Sequence, residues 1–499
     1  MLRGFADIVE PLVHIGEEVR PYLGAAINGI REAMPRLVDP ENAFWIYSGY
    51  GELSLKSVVV GTADIFSTIH PNYLLVAATF VAAFFILYIK LKYPFWNQIP
   101  ALHIYDWHRR FLYSDTPYII HHIPKKTKYY ERSPLIQTQV FRDLGEDRKL
   151  EITKLLQNYY LPSDRVFCSI QLPDLAAQCS DSLISTYNQV EYDLSPEMEK
   201  TTNIRAIHGF AASRRIQISL SSQKRNNQME EERYVVQEPA NYIDYICFDK
   251  TGGGVSSSPT NIRKLFHTHE YNARSVFPDR QITVFKKEVE LCDAIVPLVE
   301  YEALTFYLRF QIKPAPLPAN YQMVRIQREH LRHLHDWMER VASLKEDAGF
   351  RVSMTGEMGY LIHLLQTNQM FAYVLRGPDK DAPSKLDAVY AIYFFRNGHM
   401  KYEDLDGGDT LHSVGAFCNT GNFELYFLGF VWAVREARKD LSGPETKMLM
   451  VDDIGHLRGV AARWRQTHDV VLKTKCAYYC CNYVVPRSPY KAENVNVLI

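Results

Sequence analysis

The stretch from Ile243 to Tyr271 has the residue types of an anion-binding strand–loop–helix junction. An apolar segment, IDYICF, is followed by a loop that contains Gly252, Gly253, Gly254, Ser256 and Ser257. Ser258 then occupies the N-cap position of a helix predicted to begin at Pro259. Free N–H groups and the dipole at such a helix start attract anions. The spacing therefore predicts a phosphate site, and the alternative is a plain flexible loop that is capped into a helix.

Two basic residues, Arg263 and Lys264, lie in the first turns of this predicted helix, where their charges would neutralise a phosphate. The histidine pairs His121–His122 and His267/His269 lack a third ligand at a recognisable spacing. They are therefore predicted to be surface or core histidines, and no metal site is predicted. The last three residues, Val497–Ile499, are apolar enough to be drawn into a core. An ordinary frayed tail is the alternative.

The elements that position these residues follow from the pattern of apolar side chains. Two successive cycles of strand-like and helix-like segments predict a duplicated mixed α/β architecture, with a proline-rich linker at residues 313–320. A turn is predicted at Arg214-Arg215, before the alternation of Ile216, Ile218 and Leu220. The predicted strands are 204–220, 234–248, 371–375, 388–395, 448–451 and 475–484; the predicted helices are 150–160, from 259 onward, 329–344 and 424–439.

The N-terminal part differs in composition. Residues 1–70 have the spacing of amphipathic helices, and residues 71–91 form an apolar run that predicts a transmembrane helix. A small helical domain and a buried core helix are the respective alternatives. Basic residues follow the apolar run and are scarce before it, which predicts that the bulk of the chain lies on the cytosolic side of a membrane.

Composition narrows the classes of partner. The chain has 56 basic and 57 acidic residues, so no general attraction to nucleic acid is expected. Its eight cysteines show no framework spacing, which is typical of reduced thiols in the cytosol. With 47% hydrophobic residues, the 499-residue chain can bury large cores.

Several motifs, in order along the chain, resemble those of protein N-myristoyltransferase. Residues 93–100, YPFWNQIP, are similar to the family's F-W-x-x-Q-P segment, and residues 244–250, DYICFDK, to its N-F-L-C-V-H-K strand. Residues 416–419 resemble its S-F-Y-N strand, and residues 477–483 its terminal Y-Y-L-Y-N-W strand. The segments YPFW…HIYD, HTHEYNAR and IVPL also resemble N-myristoyltransferase-like proteins of large DNA viruses.

This resemblance implies an α+β fold of two tandem GNAT-like acyltransferase halves, residues 92–313 and 321–499, behind the helical segment and the transmembrane helix. It implies acyl-CoA, such as myristoyl-CoA, as co-substrate and an N-terminal glycine as acceptor. The backbone N–H groups of Tyr245 and Ile246 would form the oxyanion hole, and the terminal carboxylate of Ile499 would be the base. The glycine–serine loop would carry the CoA pyrophosphate.

Two departures from the family pattern leave a second hypothesis open. The phosphate loop has no basic residue between Thr251 and Arg263, and the family's G-D-G-x-L turn is replaced by Lys473–Cys476. The first hypothesis is a membrane-anchored acyltransferase that acts on protein N-termini. The second is a catalytically inactive relative that serves as a scaffold at a membrane or in a virion, with membrane lipid or virion proteins as partners.

Overall fold

The computed structural model describes most of the chain from Pro71 onward. The described residues are 71–106, 109, 116–161, 166–192, 202–225, 231–249, 258–308, 312–327, 330–331, 334, 352–378, 388–403, 408–441, 445–485 and 487–499. The predicted amphipathic segment 1–70 lies outside them, as do the loop 250–257 and most of the predicted helix 329–344.

The chain divides into two compact units, Met1–Leu91 and Lys92–Ile499. The apolar run that ends the first unit forms helix α1, Pro71–Lys92. A bilayer core about 30 Å thick needs about 20 apolar residues in one helix. Among the helices of the described residues, none is long and apolar enough to cross a membrane. This finding corrects the prediction of a transmembrane helix over residues 71–91.

The second unit mixes helices and strands. Its longer helices are α2 Glu146–Tyr159, α3 Leu172–Cys179, α4 Pro259–Val276, α5 Met358–Gln366, α6 Phe423–Leu441 and α7 Leu457–Trp464. Its strands are β1 Tyr118–Ile119, β2 Ile136–Val140, β3 Val166–Cys168, β4 Leu183–Tyr192, β5 Thr202–Arg225, β6 Glu231–Phe248, β7 Ile282–Glu288, β8 Val299–Tyr307, β9 Gln322–Arg325, β10 Val352–Gly356, β11 Met370–Gly377, β12 Ala388–Asn397, β13 Met400–Tyr402, β14 Asp409–Cys418, β15 Thr446–Asp452, β16 Val470–Cys481, β17 Tyr483–Val484 and β18 Val495–Leu498.

One large sheet organises the second unit. Its strands follow the order β18, β10, β5, β6, β7, β16, β8, β15, β14, β12, β11 and β9, and β4 pairs with β5 and with β2. The predicted turn at Arg214-Arg215 is wrong, because β5 continues through both residues in an unbroken ladder with β6. Arg214 lies opposite Tyr242, and Arg215 lies opposite Asn241.

The sheet contains the same strand–helix–strand arrangement twice, as β6–α4–β7 and as β14–α6–β15. In each arrangement two parallel strands are joined by a helix, the usual connection for parallel neighbours. Residues Ala240–Ile243 pair with Ile282–Phe285 in the first, and β14 pairs with β15 from Asp409 to Ser413 in the second. The duplicated mixed architecture predicted from the sequence is therefore confirmed.

The two sequence halves interleave at the middle of the sheet. Strand β16 comes from the C-terminal part of the chain but lies between β7 and β8. Strand β8 comes before the proline-rich linker but pairs with β15. At the far end, the parallel strands β10 and β18 extend the sheet from β5.

Helix α6 shows how the sequence fixes the second strand–helix–strand unit. Its buried positions recur every three or four residues and form one stripe: Leu425, Tyr426, Gly429, Phe430, Ala433, Val434 and Ala437. Phe430 contacts the rings of Tyr393 and Trp464, with centroids 5.9 and 5.6 Å apart. Full burial of a phenylalanine side chain stabilises the fold by about 1.5–3 kcal/mol. This packing holds α6 against β12 and α7.

Candidate functional site

Strand β6 carries one extra residue at Asp244. Ser213 of β5 lies opposite Ile243, and the next residue of β5, Ala212, lies opposite Tyr245. Asp244 is therefore the inserted residue of a β-bulge, which bends a strand and redirects its side chains. Val414 occupies the same place in β14, since Phe395 pairs with Ser413 and Phe394 with Gly415.

The bulge coincides with the point where two parallel strands separate. The ladder between β6 and β7 ends at the pair Ile243–Phe285, while β7 continues beside β16 to Glu288. Along the described part of β6 beyond Ile243, the edge that faced β7 has no strand paired to it. Since N–H groups alternate between the two edges of a strand, some N–H groups of Asp244–Phe248 point into this gap. Tyr245 and Ile246, the predicted oxyanion-hole residues, lie at its start.

Apolar rings surround the gap. Ile246 packs against a cluster that includes Ile243, Phe266 and Phe285. The rings of Trp96 and Phe285 stack with centroids 5.9 Å apart, and Phe266 meets Phe285 edge-on at 5.3 Å. A backbone N–H in such dry surroundings interacts more strongly with a developing negative charge than it would in water.

The start of α4 agrees with the sequence prediction. Ser258 is the N-cap, its side-chain oxygen accepts a hydrogen bond from the Asn261 N–H at 3.3 Å, and Pro259 is the first helical residue. The predicted N-cap is thus confirmed. The predicted phosphate-binding residues Gly252, Gly253, Gly254, Ser256 and Ser257 lie outside the described residues, so their role stays a prediction.

The two predicted phosphate-binding cations have protein neighbours. The Nζ atom of Lys264 lies 2.6 Å from Oε2 of Glu131, and the pair is half-buried. This contact lowers the pKa of Glu131 despite its burial. The Arg263 guanidinium lies 6.0 Å from the Phe95 ring centroid. Lys264 is therefore already neutralised, whereas Arg263 has no carboxylate partner among the described residues.

The buried face of α4 is polar and binds neighbouring segments. His269 contacts Ser185 and Ser213 through its two ring nitrogens, each at 2.9 Å. Burial lowers the pKa of His269 to about 4, so the ring is neutral at pH 7. Arg274 donates to Glu270 at 2.9 Å and to the His121 carbonyl at 2.8 Å. The prediction that these histidines are surface or core residues is confirmed for His269, which is a core residue opposite the bulge.

An ion pair that sequence reasoning missed lies at the bulge itself. Arg214 donates from Nε to Oδ2 of Asp244 at 2.8 Å, with 5% and 14% of the two side chains exposed. The guanidinium lies between the rings of Tyr360 and Tyr242, 4.2 and 5.4 Å from their centroids. Its Nη1 atom is buried with no hydrogen-bond partner in the part of the chain that the structure describes. A signal was available, because Arg214 shares the two-residue alternation of Ile216 and Ile218, which are buried.

The Tyr245 side chain links this strand to the second half of the sequence. Its hydroxyl donates to Oε1 of Gln178, and Nε2 of Gln178 lies 3.1 Å from Nε2 of His399. Burial lowers the pKa of His399 to about 4, so the neutral ring can accept from the Gln178 amide. These contacts fix the position of β6 beside the gap.

A second buried charge cluster lies where β14 and β15 separate. Asp452 follows the last paired residue of β15, and its Oδ2 atom lies 3.6 Å from Nε2 of His412 and 4.0 Å from Nζ of Lys286. Burial raises the pKa of Asp452, but Lys286 and His412 outweigh it and the result is about 2. Asp452 is therefore ionised, and sequence reasoning gave no indication of this cluster.

The end of the chain is ordered and buried. Residues Val495–Leu498 pair in parallel with β10, and only 6% of Ile499 is exposed. Ile499 shares a buried cluster with Tyr242, and the Arg214 guanidinium lies 5.4 Å from the Tyr242 ring centroid. The strand crosses β14 at Gly415, where a Cβ atom would lie 3.0 Å from the Val497 carbonyl oxygen. The prediction that the tail is drawn into a core is confirmed; its catalytic role stays a prediction.

A groove of about 580 Å³ lies elsewhere, between the linker, β9 and α6, and is lined by residues such as Leu317, Tyr321, Trp432 and Asp440. None of its lining residues belongs to the gap or to either charge cluster.

The second unit has a duplicated α+β fold, built around one large sheet. No protein-family model and no curated protein matches the chain. Among solved structures, it is similar to Saccharomyces cerevisiae N-myristoyltransferase with bound myristoyl-CoA, with a TM-score of 0.54 and 10% identity over 81% of this chain and 94% of that chain. A second such structure has a TM-score of 0.54 and 11% identity, covering 82% and 99%.

A structure of that enzyme with myristoyl-CoA and inhibitors gives a TM-score of 0.53 and 11% identity, covering 82% of this chain and 95% of that chain. The chain therefore has the fold of N-myristoyltransferase, as the sequence predicted. At this identity the likeness establishes the fold, and the activity has to be argued from the site.

Proposed function

We propose that this protein transfers a fatty acyl group from acyl-CoA to an amine, with the gap between β6 and β7 as the reaction site. The observation that carries the proposal is the separation of the two parallel strands at a bulge beside buried aromatic rings. This arrangement offers backbone N–H groups to a thioester carbonyl and an apolar wall to an acyl chain. The solved structures with this fold hold myristoyl-CoA, which supports an acyl-CoA as the donor.

The chemistry needs an oxyanion site and a base. The family resemblance assigns the oxyanion hole to the N–H groups of Tyr245 and Ile246. Because N–H groups alternate along β6, one of the two faces the gap, where it would stabilise the negative charge on the carbonyl oxygen as the amine attacks. The acceptor enters as an ammonium ion, so a carboxylate must first take one proton from it. The buried terminal carboxylate of Ile499 is the base that the family resemblance implies. An N–C bond forms, the C–S bond breaks, CoA leaves as the thiol, and one proton is released overall.

The acceptor that we propose is the N-terminal glycine of a protein, and the acyl group is myristoyl or a chain of similar length. Both follow from the N-myristoyltransferase fold and from the order of the family motifs along this sequence. The sequence predicts that the protein lies on the cytosolic side of a membrane, and this location stays a prediction.

Calorimetric titration of the full chain with a non-hydrolysable myristoyl-CoA analogue tests donor binding. We expect micromolar or tighter affinity, weakened by Arg263→Glu because Arg263 is the cation near the helix start that has no carboxylate pair among the described residues. Arg142→Glu is the matched control, since Arg142 is exposed and lies in an exposed ion pair. No binding near millimolar ligand would exclude the transferase.

Mass spectrometry of glycine-initiated peptides incubated with myristoyl-CoA tests transfer. Residues added after Ile499 should reduce turnover by about 10²-fold or more if the terminal carboxylate is the base. Insertion of the same residues into the proline-rich linker at 313–320 is the control. Equal turnover of the extended and unextended chains would exclude Ile499 as the base.

One observation favours a second candidate, an inactive relative that serves as a membrane-associated or virion scaffold. Lys264 is held by Glu131 at 2.6 Å, so its charge is already compensated within the described residues. The two candidates separate in the titration, because a scaffold has no need to bind acyl-CoA.

A further inference from the structure

We infer that the Asp244 carboxylate is a second proton acceptor of the transfer reaction, acting on the acceptor nitrogen while the N–C bond forms. The inference rests on the proposed function and names a residue for a step that the terminal carboxylate alone leaves open. An ammonium acceptor loses two protons on its way to an amide. The first leaves before attack, and the second leaves the nitrogen of the tetrahedral intermediate.

Asp244 is placed for the second step by its position in the chain. It directly precedes Tyr245 and Ile246, the residues whose N–H groups would hold the carbonyl oxygen, and the bulge sets its side chain out of the normal alternation. A base that takes a proton from the nitrogen of the tetrahedral intermediate and gives it to the sulfur must lie close to both atoms. A carboxylate beside the oxyanion site meets that requirement.

The two oxygens of Asp244 have different surroundings. Oδ2 accepts the Nε–H of Arg214 at 2.8 Å, which fixes the carboxylate plane. Oδ1 has no hydrogen bond within the described residues, and 14% of the side chain is exposed. One oxygen is thus anchored while the other remains available to a proton donor.

A buried group beside Asp244 also indicates a missing ligand. Arg214 is only 5% exposed, and its Nη1 atom is buried without a hydrogen-bond partner in the described part of the chain. An unpaired buried donor is costly, and a ligand carbonyl oxygen would satisfy it. An acceptor peptide bound beside Asp244 supplies such oxygens.

The proton path then balances. Asp244 takes the second proton from the nitrogen as the N–C bond forms. It returns that proton to sulfur as the C–S bond breaks, so CoA leaves as the thiol and Asp244 is again a carboxylate. The first proton, taken by the other base, is the one released to solvent.

The pKa of Asp244 suits this exchange. Burial raises it, while the charge and hydrogen bond of Arg214 and the charge of Arg396 oppose the rise. The other titratable groups around Asp244 are Tyr160, just after α2, Cys179 of α3, Tyr360 of α5, and Tyr242 and Tyr245 of β6. Burial raises the pKa of each of these groups, so they stay neutral at pH 7. Arg214 is thus the dominant charge on Asp244.

Two full-chain variants, Asp244→Asn and Arg214→Gln, separate a base from a structural ion pair. The assay is steady-state transfer from myristoyl-CoA to a glycine-initiated peptide between pH 5 and 9, with calorimetric acyl-CoA binding and thermal unfolding. We expect Asp244→Asn to lower kcat by about 10²-fold or more while the acyl-CoA Kd stays within about twofold. Arg214→Gln should keep most of kcat at high pH but move the acid limb of the profile upward. Asp181→Asn is the control and should match the wild type, because the Asp181 side chain is 85% exposed and lies outside the site.

The inference is overturned if Asp244→Asn keeps kcat and the wild-type pH profile, or if both variants lose kcat equally without a shift of the acid limb. If Asp244→Asn fails to fold, the inference is still overturned when the acid limb of the pH–rate profile of Arg214→Gln matches that of the wild type. A wild-type chain that binds no acyl-CoA and forms no product would instead refute the proposed function, so the two failures are distinguishable.

Discussion

Single buried charges in this protein are held in place by neighbours of opposite charge. Asp452 is 6% exposed, and its pKa falls to about 2 because Lys286 and His412 outweigh the effect of burial. A carboxylate whose pKa in the folded protein is below its ordinary value stabilises the fold at pH values above the ordinary pKa. That contribution is lost as pH falls through the folded pKa.

We therefore expect Asp452→Asn to lower the free energy of unfolding by about 2 kcal/mol at pH 7, the equivalent of the pKa difference. The deficit should shrink as pH falls from 4 towards 2, because the wild-type carboxyl then becomes protonated. Urea unfolding of both proteins across this range measures it. Asp181→Asn is the control, since its side chain is 85% exposed, and its curve should follow the wild type. A deficit that is constant with pH would contradict the ion-pair account.

His269 also makes the fold less stable as pH falls, but in a higher pH window than Asp452. Its folded pKa is about 4 because burial disfavours the charged ring, whereas an unfolded histidine titrates near 6.5. The unfolded chain binds the proton first, so stability falls as pH drops from 6.5 to 4. His269→Gln retains a donor and an acceptor for Ser185 and Ser213 but cannot titrate. Its unfolding free energy should therefore depend less on pH in this window, by up to about 3 kcal/mol. Parallel pH dependences would refute this explanation.

At the scale of elements, the last strand depends on one glycine. A Cβ atom on Gly415 would lie 3.0 Å from the Val497 carbonyl oxygen and 3.1 Å from Leu498 Cδ1. Gly415→Ala should therefore displace β18, at a cost of about 1–3 kcal/mol, as for other overpacked sites. Hydrogen exchange of residues 495–498 should become faster, and transfer activity should fall with it if Ile499 supplies the base.

Gly421→Ala is the matched control, because a Cβ atom there meets nothing within 4 Å. It should leave both exchange and activity unchanged. Unchanged exchange at residues 495–498 in Gly415→Ala would show that the chain end is not held by this contact.

The elements themselves were largely predictable, but their pairing was not. The period of apolar residues predicts α4 and α6, and the Ser258–Pro259 pair predicts the start of α4. Both signals depend only on residues that are near each other in the sequence. The bulge at Asp244 depends on which residue of β5 lies opposite, and this cannot be inferred from β6 alone. Arg214 was assigned to a turn because two adjacent arginines resemble a polar break. In the fold, aromatic rings and Asp244 compensate its charge.

At the scale of the whole molecule, the two sequence halves depend on each other for their central strands. β16 fills the place between β7 and β8, and β10 and β18 cover the edge of β5. A chain that ended in the linker would leave the edges of β5, β7 and β8 without these partners, and open strand edges promote aggregation. The linker itself is fastened by the Trp432 Nε1–H, which donates to the Ala315 carbonyl at 2.8 Å.

We therefore expect the two halves to unfold in one transition and to stay together when the linker is cut. A protease site inserted between Pro318 and Ala319 of the full chain provides the test. After cleavage, both pieces should elute together in size-exclusion chromatography without denaturant, and calorimetry should show a single transition. The uncleaved insertion protein is the control for the added residues. Pieces that separate under native conditions, each with its own cooperative unfolding, would show that the interleaved strands do not bind the halves together. If the gap in the first half and the chain end from the second half act together as proposed, separation should also abolish transfer.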